Sequence, residues 1–194
     1  MTEKRGEHRL QEKYETRKRA LAFYDNQMLN RLNDVMKDFI LEQEMVFIST
    51  SDSDGNCDSS FRSGRKGFIK LIDDKTLVYP EYKGNGVMAS LGNITENPHI
   101  GLMFIDFFEY QIGLHVNGKA DILEHDQLRS LELSEERLAD IMEEERDKAL
   151  RWVLIKVDEA YIHCSKHIPK LKKMTTAEQA KKYGDFFQIK RETE

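Results

Sequence analysis

A run of short β-prone segments joined by tight turns does most to limit what this chain can fold into. Met45-Val46-Phe47-Ile48-Ser49-Thr50 is rich in β-branched and aromatic residues and predicts a strand. Asp54-Gly55 supplies a turn with positive φ, and Cys57 to Arg62 follows as a second strand. Gly67 to Ile72 reads as a third strand, Asp73-Asp74 as a turn, and Thr76 to Pro80 as a fourth. Only one short helical segment, Val87 to Thr95, interrupts them before Asn97-Pro98 stops it. Ile100 to Phe104 has the continuous apolar character of a buried strand. Ile112 to Ile122 alternates, with Leu114, Val116, Gly118 and Ala120 facing one way, and Arg151 to Val157 returns to strand. Hairpin-linked strands with few helices between them predict a mainly β, antiparallel barrel with flanking helices, not a doubly wound sheet.

Helical patterns flank this core. Met28, Leu32, Val35, Met36 and Phe39 recur at three- and four-residue steps, predicting one apolar helix stripe in a segment that ends near Gln43. Arg17, Lys18 and Arg19 crowd its earlier part and read as a solvated face. Gln127 to Lys148 is an acidic amphipathic excursion carrying Leu131, Leu138, Ile141 and Met142. The expected organisation is a helical extension at 1–43, a barrel domain at 44–169 with the acidic helical insertion 127–148, and a tail at 170–194.

Charge and composition remove several functions. The 194 residues carry a net charge of −5, which speaks against nucleic acid as the partner. No apolar run approaches the roughly 18 residues of a membrane helix. Met1 to Arg9 lacks the apolar stretch of a secretory signal, and Cys57 and Cys164 are the only cysteines. A cytoplasmic location with reduced thiols is expected.

Four patterns could carry chemistry. Asp52-Ser53-Asp54-Gly55-Asn56-Cys57-Asp58 has acids at alternate positions. However, a calcium loop needs its glycine where Cys57 stands and a bidentate glutamate where Ser63 stands, so a hairpin turn is expected. Gly84-Asn85-Gly86-Val87-Met88-Ala89 fits the relaxed dinucleotide fingerprint GxGxxA, with Asp106 about 20 residues on, and keeps a NAD-binding Rossmann enzyme as a rival reading. In either reading a glycine-rich helix start can seat a phosphate on its free N–H groups. Between Ser59 and Lys83, the cations Arg62, Arg65, Lys66, Lys70, Lys75 and Lys83 face only Asp73, Asp74 and Glu81. That local positive field suits a phosphorylated ligand. Finally, His163-Cys164-Ser165-Lys166-His167 gathers nitrogen and sulfur ligands without the usual spacing or a fourth ligand, and no metal site is expected from it.

Read in order, these residues resemble a known family. The succession is Phe47-Ile48-Ser49-Thr50-Ser51, Asp54-Gly55, Asp58-Ser59-Ser60-Phe61-Arg62, Gly67-Phe68-Ile69, Asp73-Asp74-Lys75-Thr76-Leu77, Gly84-Asn85, Leu91-Gly92-Asn93-Ile94-Thr95-Glu96-Asn97-Pro98 and Val116-Asn117-Gly118-Lys119-Ala120. It resembles the pyridoxamine 5′-phosphate oxidase-related FMN-binding proteins over about Met45 to Ile122, with a weaker echo at Trp152 to Pro169. The resemblance implies a six-stranded antiparallel split β-barrel that forms a homodimer, with two FMN molecules at the interface, each touched by both chains. It also implies that the backbone of Gly67, Phe68 and Ile69 lies along the isoalloxazine edge, with Ser60, Arg62 and Lys66 on the strand and loop leading there. Lys83, Gly84, Asn85 and Ser90 fall where the family binds ribityl and phosphate, and His115 is expected to approach the ring from the partner side. Two departures bear on the reaction. Gly86 and Val87 stand where many members carry basic residues, so phosphate binding would rest on N–H groups with Arg62, Lys66 or Lys83. The basic C-terminal segment that grips pyridoxamine phosphate is not evident, which argues against the B6 reaction itself. The implied function is an FMN-dependent oxidoreductase acting on a small molecule through the flavin, with no catalytic side chain named. The alternatives are a non-enzymatic flavin or haem carrier or sensor, and the Rossmann enzyme.

Overall fold

The computed structural model describes residues 5–129, 131, 133–145, 148–173 and 187, so most of the expected tail at 170–194 lies outside the described residues. Elements run in the order α1 (Arg5–Lys13), α2 (Arg17–Gln27), β1 (Met28–Leu29), α3 (Asp34–Leu41), β2 (Met45–Ser51), β3 (Cys57–Ser63), β4 (Lys70–Leu71), β5 (Thr76–Tyr82), α4 (Ala89–Glu96), β6 (His99–Ile105), β7 (Gly113–Leu123), α5 (His125–Leu128), α6 (Glu135–Glu145) and β8 (Ala149–His163), closed by a 3₁₀ turn at Ser165–His167. The strands form one sheet in the order β3-β2-β6-β7-β8-β5-β4, with β1 added against β8. Every pairing is antiparallel. Six strands are long; β1 and β4 have two residues each.

The alternation in the sequence sets the two faces of the sheet. Ile48, Leu102, Val116 and Ala160 stand directly opposite one another across β2, β6, β7 and β8 and are buried on the inner face. One residue along, Phe47, Met103, His115 and Tyr161 form a parallel row on the outer face and are half-buried. Leu114, Val116, Gly118 and Ala120 all point inward, as the alternation predicts. Gly118 sits at a bulge against β8, where a Cβ would lie 2.1 Å from the Lys156 carbonyl oxygen, so only glycine fits.

The sheet is open in hydrogen bonding but curled in space. β3 and β5 lie near opposite ends of the strand order. Even so, the Arg62 Nε and a terminal guanidinium nitrogen donate to both carboxylate oxygens of Glu81 at 3.0 Å each. This paired fork clasps the seam of a split barrel. α4 packs over the same opening, touching β2, β3 and β7. On the opposite side of β5 and β8, α5 and α6 cover a second core of Val78, Leu128, Ile141, Ala149, Trp152 and Leu154. β5 is therefore buried on both faces over its first five residues, which accounts for its unbroken apolar character.

Three sequence expectations change. The stripe from Met28 to Phe39 is not one helix: α2 stops at Gln27, Met28 and Leu29 pair with Tyr161 and Ala160, and α3 starts afresh. Asn33 makes the break, because its side chain accepts from the Met36 N–H at 2.9 Å and caps the new helix. Val35 is consequently exposed while Leu32 and Ile40 are buried. Gly67 to Ile72 is not a third full strand. Gly67 is left-handed at φ +73°, and the Phe68 N–H bonds the Arg65 carbonyl. Phe68 and Ile69 are both buried, which two consecutive residues of a one-sided strand cannot be. The Rossmann reading also fails: β5 and β6, on either side of α4, are not sheet neighbours, and no parallel pair exists among the described strands. Asp106 instead accepts the N–H groups of Phe108, Glu109 and Tyr110 and builds a turn.

Candidate functional site

Two of the segments that resemble a flavin site, β3 and the start of α4, meet at the barrel seam. β3 brings Asp58, Ser60 and Arg62 on its inward side, and α4 brings Ser90 in its first turn. The Ser60 and Ser90 hydroxyls both donate to the same Asp58 carboxylate oxygen at 3.0 Å, and the two hydroxyl oxygens are 3.2 Å apart. The sequence holds these three residues in two separate segments; the structure joins them through the shared Asp58 carboxylate oxygen. Two of the three candidate cations are already paired. Arg62 holds Glu81 at the seam, with both side chains mostly buried, and Lys66 holds Glu42 at 2.5 Å in an exposed pair. Lys83 is exposed and has no acidic partner among the described residues.

The loop after β5 has an unusual backbone. Gly84, Gly86 and Met88 all take positive φ, at +50°, +80° and +56°. Glycine adopts this conformation freely, whereas at Met88 it costs of order 1 kcal/mol. These left-handed residues at alternate positions carry the chain from β5 into α4. Met88 is also the N-cap of α4 and offers no side-chain cap, so the first-turn N–H groups have no side-chain acceptor from it. Asn85 turns its side chain back to accept the Val87 N–H at 3.0 Å.

At the ends of β3 and β5 lies a cleft of about 350 Å³ lined by Ser63, Gly64, Arg65, Tyr82, Glu145 and Lys148; residues 67–69 and 83–90 are not part of its lining. Gly64 lets Phe68 pack closely against it, since a Cβ there would meet the Phe68 Cβ at 2.5 Å. Glu145 is buried, and its carboxylate accepts the Tyr82 hydroxyl at 2.8 Å. Burial and that carboxylate hold the Tyr82 phenol well above its ordinary range, so it stays protonated and donating. Arg65 is one of the cations of the local positive field; Ser63, Gly64, Tyr82, Glu145 and Lys148 are absent from the sequence-based candidates. Nothing in the repeated glutamates of α6 marks Glu145 as the one that turns inward.

His115 stands apart. It projects from the outer row of β7, on the face opposite Ser60, and cannot meet a ligand at the seam of its own chain. It stacks on Tyr161 with ring centroids 4.7 Å apart at 17°, and its Nε2 lies 2.9 Å from His163 Nδ1. Burial, and secondarily the neighbouring His163, lower its pKa from the ordinary 6.5. The folded state therefore resists protonating this ring more than the unfolded chain does. Its contribution to stability is complete above pH about 6.5 and is lost as the pH falls through that value toward the folded pKa. His115→Gln is expected to flatten the pH dependence of unfolding free energy between about pH 7 and pH 5. An unchanged slope in urea titrations across that range would contradict the assignment.

The remaining sequence motifs are structural. Asp52 accepts the N–H groups of Asp54 and Asn56 and the Asn56 side chain, and so builds the hairpin turn. His167 and Cys164 are exposed at the 3₁₀ turn, and among the described residues no group of three or more His, Cys, Asp or Glu converges on a metal position.

Comparison with known proteins agrees with this architecture. The family model for pyridoxamine 5′-phosphate oxidase matches residues 32–164, over half of the chain, and the chain belongs to that family. Solved structures share the fold. HupZ of Group A Streptococcus superposes with a TM-score of 0.50 at 23% identity, covering 68% of this chain and 93% of that one. A histidine-to-alanine variant of the same HupZ gives 0.51 at 21% identity, covering 68% and 99%. A candidate pyridoxamine 5′-phosphate oxidase from Lactobacillus delbrueckii gives 0.50 at 17%, covering 70% and 98%. No curated protein sequence matches the chain. No helix among the described residues is long and apolar enough to cross a membrane.

Proposed function

We propose that this protein is an FMN-binding flavoprotein, a homodimer that transfers electrons or hydride between small molecules. The observation that carries the reading is the left-handed loop of Gly84, Gly86 and Met88 that opens α4, next to Lys83, an exposed lysine that has no acidic partner among the described residues. Lys83 and the N–H groups of Gly84, Gly86 and the first turn of α4 would hold the phosphate. Arg62 supports the site by fixing the seam rather than by meeting the ligand, because Glu81 already neutralises it. Tyr82 gives its hydroxyl proton to the buried Glu145 and so braces the wall of the neighbouring cleft, where Arg65 and Lys148 also stand. When bound, the flavin ring supplies the redox chemistry; the chain's own task is to position it and keep water from one side. His115 faces away from its own seam, so its contact with the ring requires a second copy of the chain. The exposed free thiols of Cys57 and Cys164 support a cytoplasmic setting.

Lys83→Ala is expected to weaken FMN binding by about 1–2 kcal/mol, the scale of one lost charge-assisted contact, while Lys66→Ala leaves it within about 0.5 kcal/mol. Equilibrium titration of flavin fluorescence measures both. Equal affinity of the Lys83 variant and the parent protein would remove the phosphate assignment. NAD(P)H oxidation by the flavin-loaded protein, at a rate well above that of free FMN, separates an enzyme from a carrier.

A further inference from the structure

We propose that Asp58 is a specificity-determining residue that makes its corner of the seam a seat for ligand hydroxyl groups and turns a phosphate away from it. The proposal deepens the flavin reading and rests on it: the uncharged polyol chain of the flavin, and not its phosphate, faces Asp58 and Ser60. The family resemblance gives Ser90 to ribityl and phosphate together and gives Asp58 no part. The hydrogen bonds of the seam divide these roles.

The division follows from counting protons. A serine hydroxyl has one proton to give, and a carboxylate only accepts. Ser60 donates to Asp58 Oδ2 at 3.0 Å. Ser90 lies 3.0 Å from that same oxygen and 3.2 Å from the Ser60 oxygen, so its single proton is spent inside the cluster whichever of the two receives it. Ser90 is also buried, which leaves the half-buried Asp58 and Ser60 as the groups a ligand meets. What they present are acceptors: the Ser60 lone pairs, and Asp58 Oδ1, which takes no hydrogen bond from any described residue. A phosphate brings acceptors and a like charge to this corner. A ligand hydroxyl brings a proton and makes a charge-assisted bond with the carboxylate. Helix electrostatics point the same way. Ser90 is the second residue of α4, whose own first turn has no acidic side chain. Asp58 reaches that helix start from β3 and takes up part of the attraction the dipole holds for an anion. The phosphate is thereby left to Lys83 and main-chain N–H groups, without the Ser90 hydroxyl.

Fluorescence titration of the full chain with FMN and with riboflavin, which lacks the phosphate, reads the proposal as a ratio of two dissociation constants. Asp58→Asn keeps the size of the side chain and removes its charge. It is expected to tighten FMN roughly tenfold while riboflavin stays within about threefold, and raised salt should shrink the gain. Ser90→Ala is expected to move both flavins by the same factor, since its hydroxyl does not meet the phosphate. That variant leaves the carboxylate in place and decides on its own if Asp58→Asn does not fold. An Asp58→Asn chain in which both flavins shift together would reduce Asp58 to a structural role and overturn the proposal, with the flavin reading left standing. Loss of FMN alone in Ser90→Ala would overturn it too, because Ser90 would then hold the phosphate. No binding of either flavin by the parent chain would remove the flavin reading, and this proposal with it.

Discussion

Arg62→Ala is expected to cost about 3 kcal/mol of folding free energy, although the residue sits on an edge strand. The cost comes from what it leaves behind. The Arg62 and Glu81 side chains are only 19% and 14% exposed, and the pair is bidentate at 3.0 Å. Removing the guanidinium strands a poorly solvated carboxylate opposite the buried Tyr79, whose own hydroxyl has no hydrogen-bond partner. A buried pair broken on one side typically loses about 3–5 kcal/mol, and partial exposure places this one at the lower end. The double substitution Arg62→Leu/Glu81→Leu is expected to recover most of that loss, because no charge is left unpaired. Urea unfolding of the parent, both single variants and the double variant gives the coupling directly. Additive single effects would mean that the pair does not clasp the seam.

Trp152→Ala is expected to lose about 3–5 kcal/mol, the scale of a large-to-small change in a packed core. Trp152 is fully buried among Val78, Leu128, Ile141, Ala149 and Leu154, and its indole N–H donates to His125 Nδ1 at 3.1 Å. This core fastens α5 and α6 to the barrel. Its loss should also free Glu145 from Tyr82 and open the cleft wall. Trp152→Phe keeps the apolar contact and loses the hydrogen bond, so a smaller cost of about 1–2 kcal/mol is expected. Trp152 is the sole tryptophan, so the variants are followed by circular dichroism. A Trp152→Ala chain as stable as Trp152→Phe would show that α6 is not held by this core.

The fold was largely readable because strand alternation is a local signal. Leu114, Val116, Gly118 and Ala120 declare an inward face two residues at a time, and the turn at Asp54-Gly55 fixes the hairpin before it. The Met28–Phe39 stripe misled because helical spacing continues across Asn33, whose capping role depends on where the chain turns. Gly67 to Ile72 misled because Phe68 and Ile69 are apolar for burial in a turn, not for alternation. The site was legible as segments and not as contacts. Arg62 and Glu81 are 19 residues apart, His115 and His163 48, and Tyr82 and Glu145 63. No local pattern reports such pairings. They place Arg62 against Glu81 and leave Lys83 without an acidic partner among the described residues.

Equilibrium dialysis of the purified chain against FMN, read by mass spectrometry of the bound molecule together with the mass of the assembly in solution, tests the central claim most directly. The account predicts one FMN per chain in a particle of two chains. A protein that retains no FMN after dialysis at saturating flavin, or that binds it as a single chain, would contradict it.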